Sequence, residues 1–312
     1  KTTSDSYVLW PSRIGPFTLV VGRHYHNVDT TQFPFSYLTE VSYESQLIPG
    51  INLRSVGTIR DAQKWPRRDN RKDPKKLDQI NYNLLSPFTV GKMMKGRELL
   101  RKLLIENPGK PLIMFDRMSM KASAAERGIS LYQMGIDKFI GNSLIQRLEG
   151  GDFKTDEEIR ARMKPGSEKG TGDWIDMSGL ITPLSSIEDL LLSIEKHEMK
   201  SADAINRHFE SIHKHYYDLE WNWVYNRLPA ETGKPNDELT AADIISMVER
   251  WKKSVVDLDR MLYEDARKEF TLSSMTGFGI DGDDEVKKRD FEQVRGDFEK
   301  NSVVLAILDH IK

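Results

Sequence analysis

Two of the chain's seven histidines stand in its chemically densest stretch. Val20 to Leu38 reads VVGRHYHNVDTTQFPFSYL, so Arg23, His24, His26 and Asp29 follow directly behind an apolar, β-branched run. If that run continues as a strand, residues 24 and 26 point to one face while 23 and 25 point to the other. Two imidazoles on one face suit a general base with an orienting partner, or a pair of metal ligands. Asp29 can then fix the tautomer of one ring. The plainer alternative is a strand edge whose histidines bond backbone and water.

A second candidate is the basic run from Arg54 to Lys76. It holds Arg54, Arg60, Lys64, Arg67, Arg68, Arg71, Lys72, Lys75 and Lys76 against Asp61, Asp69 and Asp73, a local net charge of +6. Trp65 sits within it. Guanidinium groups beside an indole suit a phosphate carried on a base or sugar, with forked Arg contacts and a stacking face. A solvated linker whose arginines pair with neighbouring acids explains the same residues equally well. Two further clusters are weaker. The aromatic and histidine belt from His208 to Tyr225 is best explained by packing. The stretch GFGIDGDDE from Gly277 lacks the spacing of a calcium loop, and Asp283 and Asp284 more simply start a helix.

These residues need a scaffold, and the pattern changes near residue 90. Before it, Tyr7 to Trp10, Phe17 to Val21, Phe35 to Val41 and Ile51 to Ile59 read as short strands or extended pieces. Ile14-Gly15 and Val21-Gly22 form two imperfect copies of a branched residue followed by glycine, as at the corners of a hexapeptide-repeat solenoid. After residue 90 the period is helical. Lys92 to Ile105, Ala122 to Leu148 (as one or two helices), Asp156 to Met163, Ser186 to Lys196, Ser201 to Arg227, Thr240 to Phe270 and Asp284 to His310 are the expected helical stretches. Thr240 and Asp243 form a capping-box-like start. The expected fold is thus α+β: residues 1–90 are a β-rich segment closing a β-helix plus a basic extended region, and residues 91–312 an α-helical domain.

Composition sets limits. At 312 residues with 30% charged side chains and a net charge of −2, the chain has no global pull toward nucleic acid or a membrane. With no cysteine it has neither disulfides nor thiolate chemistry, which suits a cytoplasmic protein without excluding a secreted one. No apolar run approaches a membrane span, and no Walker loop, dinucleotide fingerprint or zinc-protease helix occurs. The chain opens at Lys1 and passes almost at once into β pattern, and is expected to be the C-terminal portion of a longer protein.

The stretches GRHYHNVDTTQFPFSYL, INLRSVGTIRDAQKWPRRDNRK and LDQINYNLLSP resemble the region following the β-helix in a family of long bacterial proteins with a domain of unknown function. The resemblance covers essentially the whole chain. The N-terminal part of that family is similar to the left-handed β-helices of hexapeptide-repeat acyltransferases and sugar-nucleotide transferases. It implies transfer from a sugar nucleotide or other phosphorylated or acyl donor, in a homo-oligomer such as a trimer, with a histidine on a coil as base. Only His24 and His26 lie where such a base could stand, and at most one coil is recognisable. The expected catalytic set is His24, His26 and Asp29. The expected binders of an anionic substrate are Arg23, Arg54, Arg60, Lys64, Trp65, Arg67 and Arg68. No metal is expected, and the cofactor is left open. The alternative is a non-catalytic helical module that caps a β-helix and organises an oligomer.

Overall fold

The first forty residues run in short extended pieces that pair in parallel. In the computed structural model, which describes residues 1–312, these pieces are β1 (Tyr7–Val8), β2 (Leu19–Val21), β3 (Arg23–His24) and β4 (Tyr37–Val41). β1 pairs with β3 and β2 with β4, while single bridges join Thr2 to Val20 and Arg13 to Asp29, all in parallel. A parallel pair needs a long connection between its strands, and here the paired positions lie sixteen or eighteen residues apart. Thr2, Val20 and Leu38 therefore stack as three successive layers eighteen residues apart. The other two ladders step by sixteen, from Tyr7 to Arg23 and from Arg13 to Asp29. Val20 and Leu38 are buried. The exposed rings of Tyr7, Tyr25 and Tyr43 repeat the step of eighteen outside, with centroids 6.1 and 6.3 Å apart.

The stack ends at β4. Ser42 and Tyr43 both adopt positive φ (54° and 68°), the conformation of a two-residue hairpin turn, and send β5 (Glu44–Ile48) back antiparallel to β4. Beyond it the chain turns helical sooner than its composition predicts. Ile51–Arg54 is a 3-10 turn and α1 (Val56–Arg67) a helix, so the expected extended segment and the extended form of the basic run as far as Arg67 are corrected, while residues 69–76 are neither helix nor strand. The β-branched residues at 51, 56 and 59 favour strand locally. Val56, Ile59 and Ala62 nevertheless have helical spacing, and Val56 and Ile59 bury against Leu262, Ala266, Val304 and Ile307. Tertiary packing overrides a weak propensity.

α2 (Pro87–Glu106) starts at Ser86, whose hydroxyl and that of Thr89 form a capping box. A hairpin that the sequence did not reveal follows, β6 (Leu112–Phe115) and β7 (Met118–Lys121). β7 joins β5 in parallel, giving a five-stranded sheet in the order β2-β4-β5-β7-β6. Strand structure thus returns after residue 90. α3 (Ala122–Leu148) runs as one helix through Gly128 and Gly135. Then come α4 (Asp156–Met163), a second unforeseen hairpin β8 (Trp174–Met177) and β9 (Leu180–Pro183), α5 (Leu184–Glu195), α6 (Ala202–Lys214) and α7 (Tyr216–Thr232). α8 (Ala241–Lys268) begins with the expected Thr240–Asp243 capping box, and α9 (Asp284–Arg295) and α10 (Ser302–Ile311) complete the chain. No helix is long and apolar enough to cross a membrane.

One hydrophobic core joins the two sides of residue 90, from Val20, Leu38 and Leu47 through Met93 and Tyr132 to Leu258. Two devices hold it. The first is close approach: a methyl on Gly96 of α2 would collide with the Gln32 carbonyl oxygen, and one on Gly135 of α3 would lie 3.0 Å from the Met93 sulfur. The second is a buried ion pair. Arg97 grips Glu231 of α7 with two bonds of 2.8 and 3.0 Å and also donates to Gln133 of α3. Burial opposes the charge of Glu231, but the Arg97 bonds prevail and hold its pKa below the ordinary value.

Gly96→Ala should lower stability by about 1–3 kcal/mol, because backbone blocks the new methyl. Gly166→Ala, which faces open space, should change it by less than about 0.5 kcal/mol. Arg97→Met should cost about 3 kcal/mol or more by stranding Glu231, and Arg97→Met with Glu231→Leu should cost less than the single change. Urea unfolding of the four variants checks both expectations.

Candidate functional site

The expected catalytic residues separate as soon as strand β3 ends. His24 is its last residue and is wholly buried. Its Nδ1 lies 2.9 Å from the Ser45 hydroxyl, its buried Nε2 has no partner, and burial lowers its pKa. The chain leaves the extended form after His24, so alternation no longer applies and His26 is exposed. The expected shared face is therefore not formed. Asp29 accepts from the Thr31 amide (2.9 Å) and hydroxyl (2.6 Å) and lies 3.9 Å from Arg13.

The expected anion-binding residues disperse in the same way. Arg23 pairs with Asp5 at 2.6 Å on the surface, and Arg60 with Glu269 at 2.7 Å. Arg54 ends the 3-10 turn, half-buried. Lys64 is half-buried on α1, and Arg67 and Arg68 are exposed at its end. Trp65 stacks on Phe17 with centroids 6.1 Å apart and lines a cleft with Ile80, Tyr82 and Asp176. Neither the cleft beside Trp65 nor the cavity between α3, α7 and α8 is lined by His24, His26, Arg54, Arg60, Arg67 or Arg68.

The polar groups that do converge lie between α3, α7 and α8. A cavity of about 400 Å³ has Phe35, Leu53, Phe139 and Leu258 among its apolar lining and exposed Asn142, Gln146 and Tyr217 at its rim. Its size falls in the range of small-molecule sites, roughly 300–1,000 Å³. Glu220 reaches it from α7 and is only 7% exposed. The Ser143 hydroxyl donates to one carboxyl oxygen at 3.2 Å, and no lysine or arginine forms an ion pair with it. The Tyr216 hydroxyl, also buried, sits beside Glu220 without a well-formed hydrogen bond. Burial pushes the Glu220 carboxyl up to about 7. A buried carboxyl of that kind in a cavity marks a candidate functional site.

The local sequence builds this placement. α6 stops at His215 and α7 restarts at Tyr216, so Tyr216, Glu220 and Val224 fall on one helical face, all buried. Trp221 and Trp223 are buried as well, and Trp221 donates to the Met163 carbonyl at 2.8 Å, in keeping with a packing role for the belt. A carboxylate four residues after one buried aromatic and four before a buried valine was the signal available in the sequence. Aromatic crowding obscured it.

A helical bundle packed on a short sheet, with one cavity built around a buried acid, matches no solved structure. Residues 155–312 match the family described as a domain of unknown function (DUF6819), and the chain belongs to that family. Residues 1–104 match a second family, also a domain of unknown function (DUF4954). An uncharacterized protein of Treponema pallidum (strain Nichols) is 22% identical over 228 residues, covering 64% of this chain and 31% of that protein. The chain spans about a third of the length of that relative.

Glu220 gives a signed pH dependence. Between its ordinary value of 4.5 and about 7 the folded chain holds a proton that the unfolded chain has released. Its contribution is full below the lower value and is lost as pH rises through the upper one. Relative to its behaviour near pH 4, Glu220→Gln should therefore gain stability over the native chain by up to about 3 kcal/mol near pH 8. Urea unfolding at both pH values measures the difference, and a pH-independent difference contradicts the assignment.

Proposed function

We propose that this chain closes one end of a longer parallel β-helix and that its helices brace the closure. The observation that carries the reading is the repeated parallel ladder at Thr2, Val20 and Leu38. A step of eighteen residues is three hexapeptides, which fits the left-handed, hexapeptide-repeat solenoid that the sequence resembles. The far edge of the stack is turned back by β5 and covered by helices, while the near edge, β1, pairs only with β3. An unpaired edge of this kind invites a further strand. The greater length of the Treponema pallidum relative leaves room for the coils that would supply it.

On this reading the chain is a capping and oligomerisation module. The transfer chemistry implied by the resemblance, on a sugar nucleotide or another phosphorylated or acyl donor, belongs to the coils of the stack. His24, shut off from solvent, then serves to close the last coil together with Ser45.

Amide exchange tests the open edge. Thr3, Tyr7 and Leu9 donate to the carbonyls of Val20, Gly22 and His24, which turns the Val8 amide to the other side of β1 by strand alternation. In a polypeptide carrying the residues that precede this chain, the Val8 amide should exchange about a hundredfold more slowly than in the 312-residue chain. Equal rates would reject the capping role.

A further inference from the structure

We propose that the cavity at Glu220 binds a small organic cation, an amine with an apolar body. Its ammonium seats on the Glu220 carboxylate, and its body lies against Leu53, Phe139 and Leu258. This site is independent of the open strand edge. Three observations support it. The cavity is lined by apolar side chains and opens at Asn142, Gln146 and Tyr217. Its acid is more than nine-tenths buried. A carboxylate offers about four acceptor positions, and the Ser143 hydroxyl with the neighbouring Tyr216 hydroxyl fills at most two of them, neither bringing a positive charge. A buried charge without a partner is costly, so a ligand that brings a cation gains what the protein leaves unsupplied. The contrast with Glu231, which is also buried and is fully gripped by Arg97, shows that this fold can place a cation on a buried acid where stability requires one.

The other charged and titratable groups around the site are accounted for. Lys138 of α3 lines the same cavity without pairing with Glu220. Arg147 of α3 and Arg162 of α4 border an adjoining recess, with Asp218 of α7. Arg147 donates to the Arg162 and Lys164 carbonyls and lies over the Trp221 ring, and Arg162 donates to the Arg147 carbonyl. Tyr216 and Tyr217 complete the set. An anionic ligand drawn to Lys138 is the competing outcome.

The test uses isothermal calorimetry with three probes of one shape, 2-phenylethylamine, 2-phenylethanol and 3-phenylpropanoate. The amine should bind the native chain near pH 8 at least about tenfold more tightly than either of the others. Because it needs the ionised acid, its affinity should fall about thirtyfold between roughly pH 8 and pH 5.5. Glu220→Gln should reduce amine binding to the level of the alcohol. In the native chain the amine should also lower the Glu220 titration midpoint, read by carbon-13 NMR. That measurement and the probe comparison stand even if the variant does not fold. Equal binding of the alcohol, tighter binding of the propanoate, no saturable amine binding by about 10 mM, no pH dependence, or full amine affinity in Glu220→Gln would each overturn the proposal.

Discussion

Close packing around α3 is the constraint on which the rest of the molecule depends. This helix meets α2 beside Gly135 and Met93, the β5 side beside Gly128 and Pro49, and α8 beside Gly141 and Trp251. A side chain at these positions would push the partners away, so each glycine trades some helix propensity for a short interaxial distance. The parallel coil at the N-terminus and the long helix α8 are thereby held in one core. The sheet, the cavity and the bundle all take their relative positions from that helix.

Two buried acids on α7 show how the same fold treats charge in opposite ways. Glu231 sits in a network with Arg97 and Gln133 and is held ionised, which ties α2, α3 and α7 together. Glu220, three turns earlier, has only neutral hydroxyls, Ser143 and Tyr216, beside it and is pushed toward its neutral form by burial. The first arrangement is structural in its logic, because three donors, two of them cationic, meet the carboxylate. The second leaves hydrogen-bonding capacity unused beside a cavity.

Polar groups in and beside the parallel pieces at residues 1–41 are in part turned inward. His24, Thr30 and Ser45 are all buried there. His24 meets Ser45 across β3 and β5 rather than facing a cleft. Arg60 and Arg67 of the basic run lie on α1, which packs on α8, and Arg60 crosses to Glu269. Their charge is used in part to fasten α1 to the C-terminal elements.

Much of the secondary structure was legible in residue spacing alone. The capped start at Thr240, the apolar period of α2 and α8, and the switch from alternating to helical pattern are local features, governed by neighbours within one or two turns. The eighteen-residue recurrence of Tyr7, Tyr25 and Tyr43 is also present in the sequence, but single matches at that distance mean little until pairing is seen. The hairpins at 112–121 and 174–183, the helix at 56–67 and the loss of alternation after His24 depended on tertiary contacts, since short apolar runs suit either strand or helix. The site followed the same division. Sequence singled out ionisable residues that stand close along the chain, whereas the cavity assembles Glu220, Ser143 and Leu258 from three helices far apart in it. Composition and local period determine which elements form. Burial, which alone decides whether an acid is a surface charge or a poised group, exists only once those elements have packed.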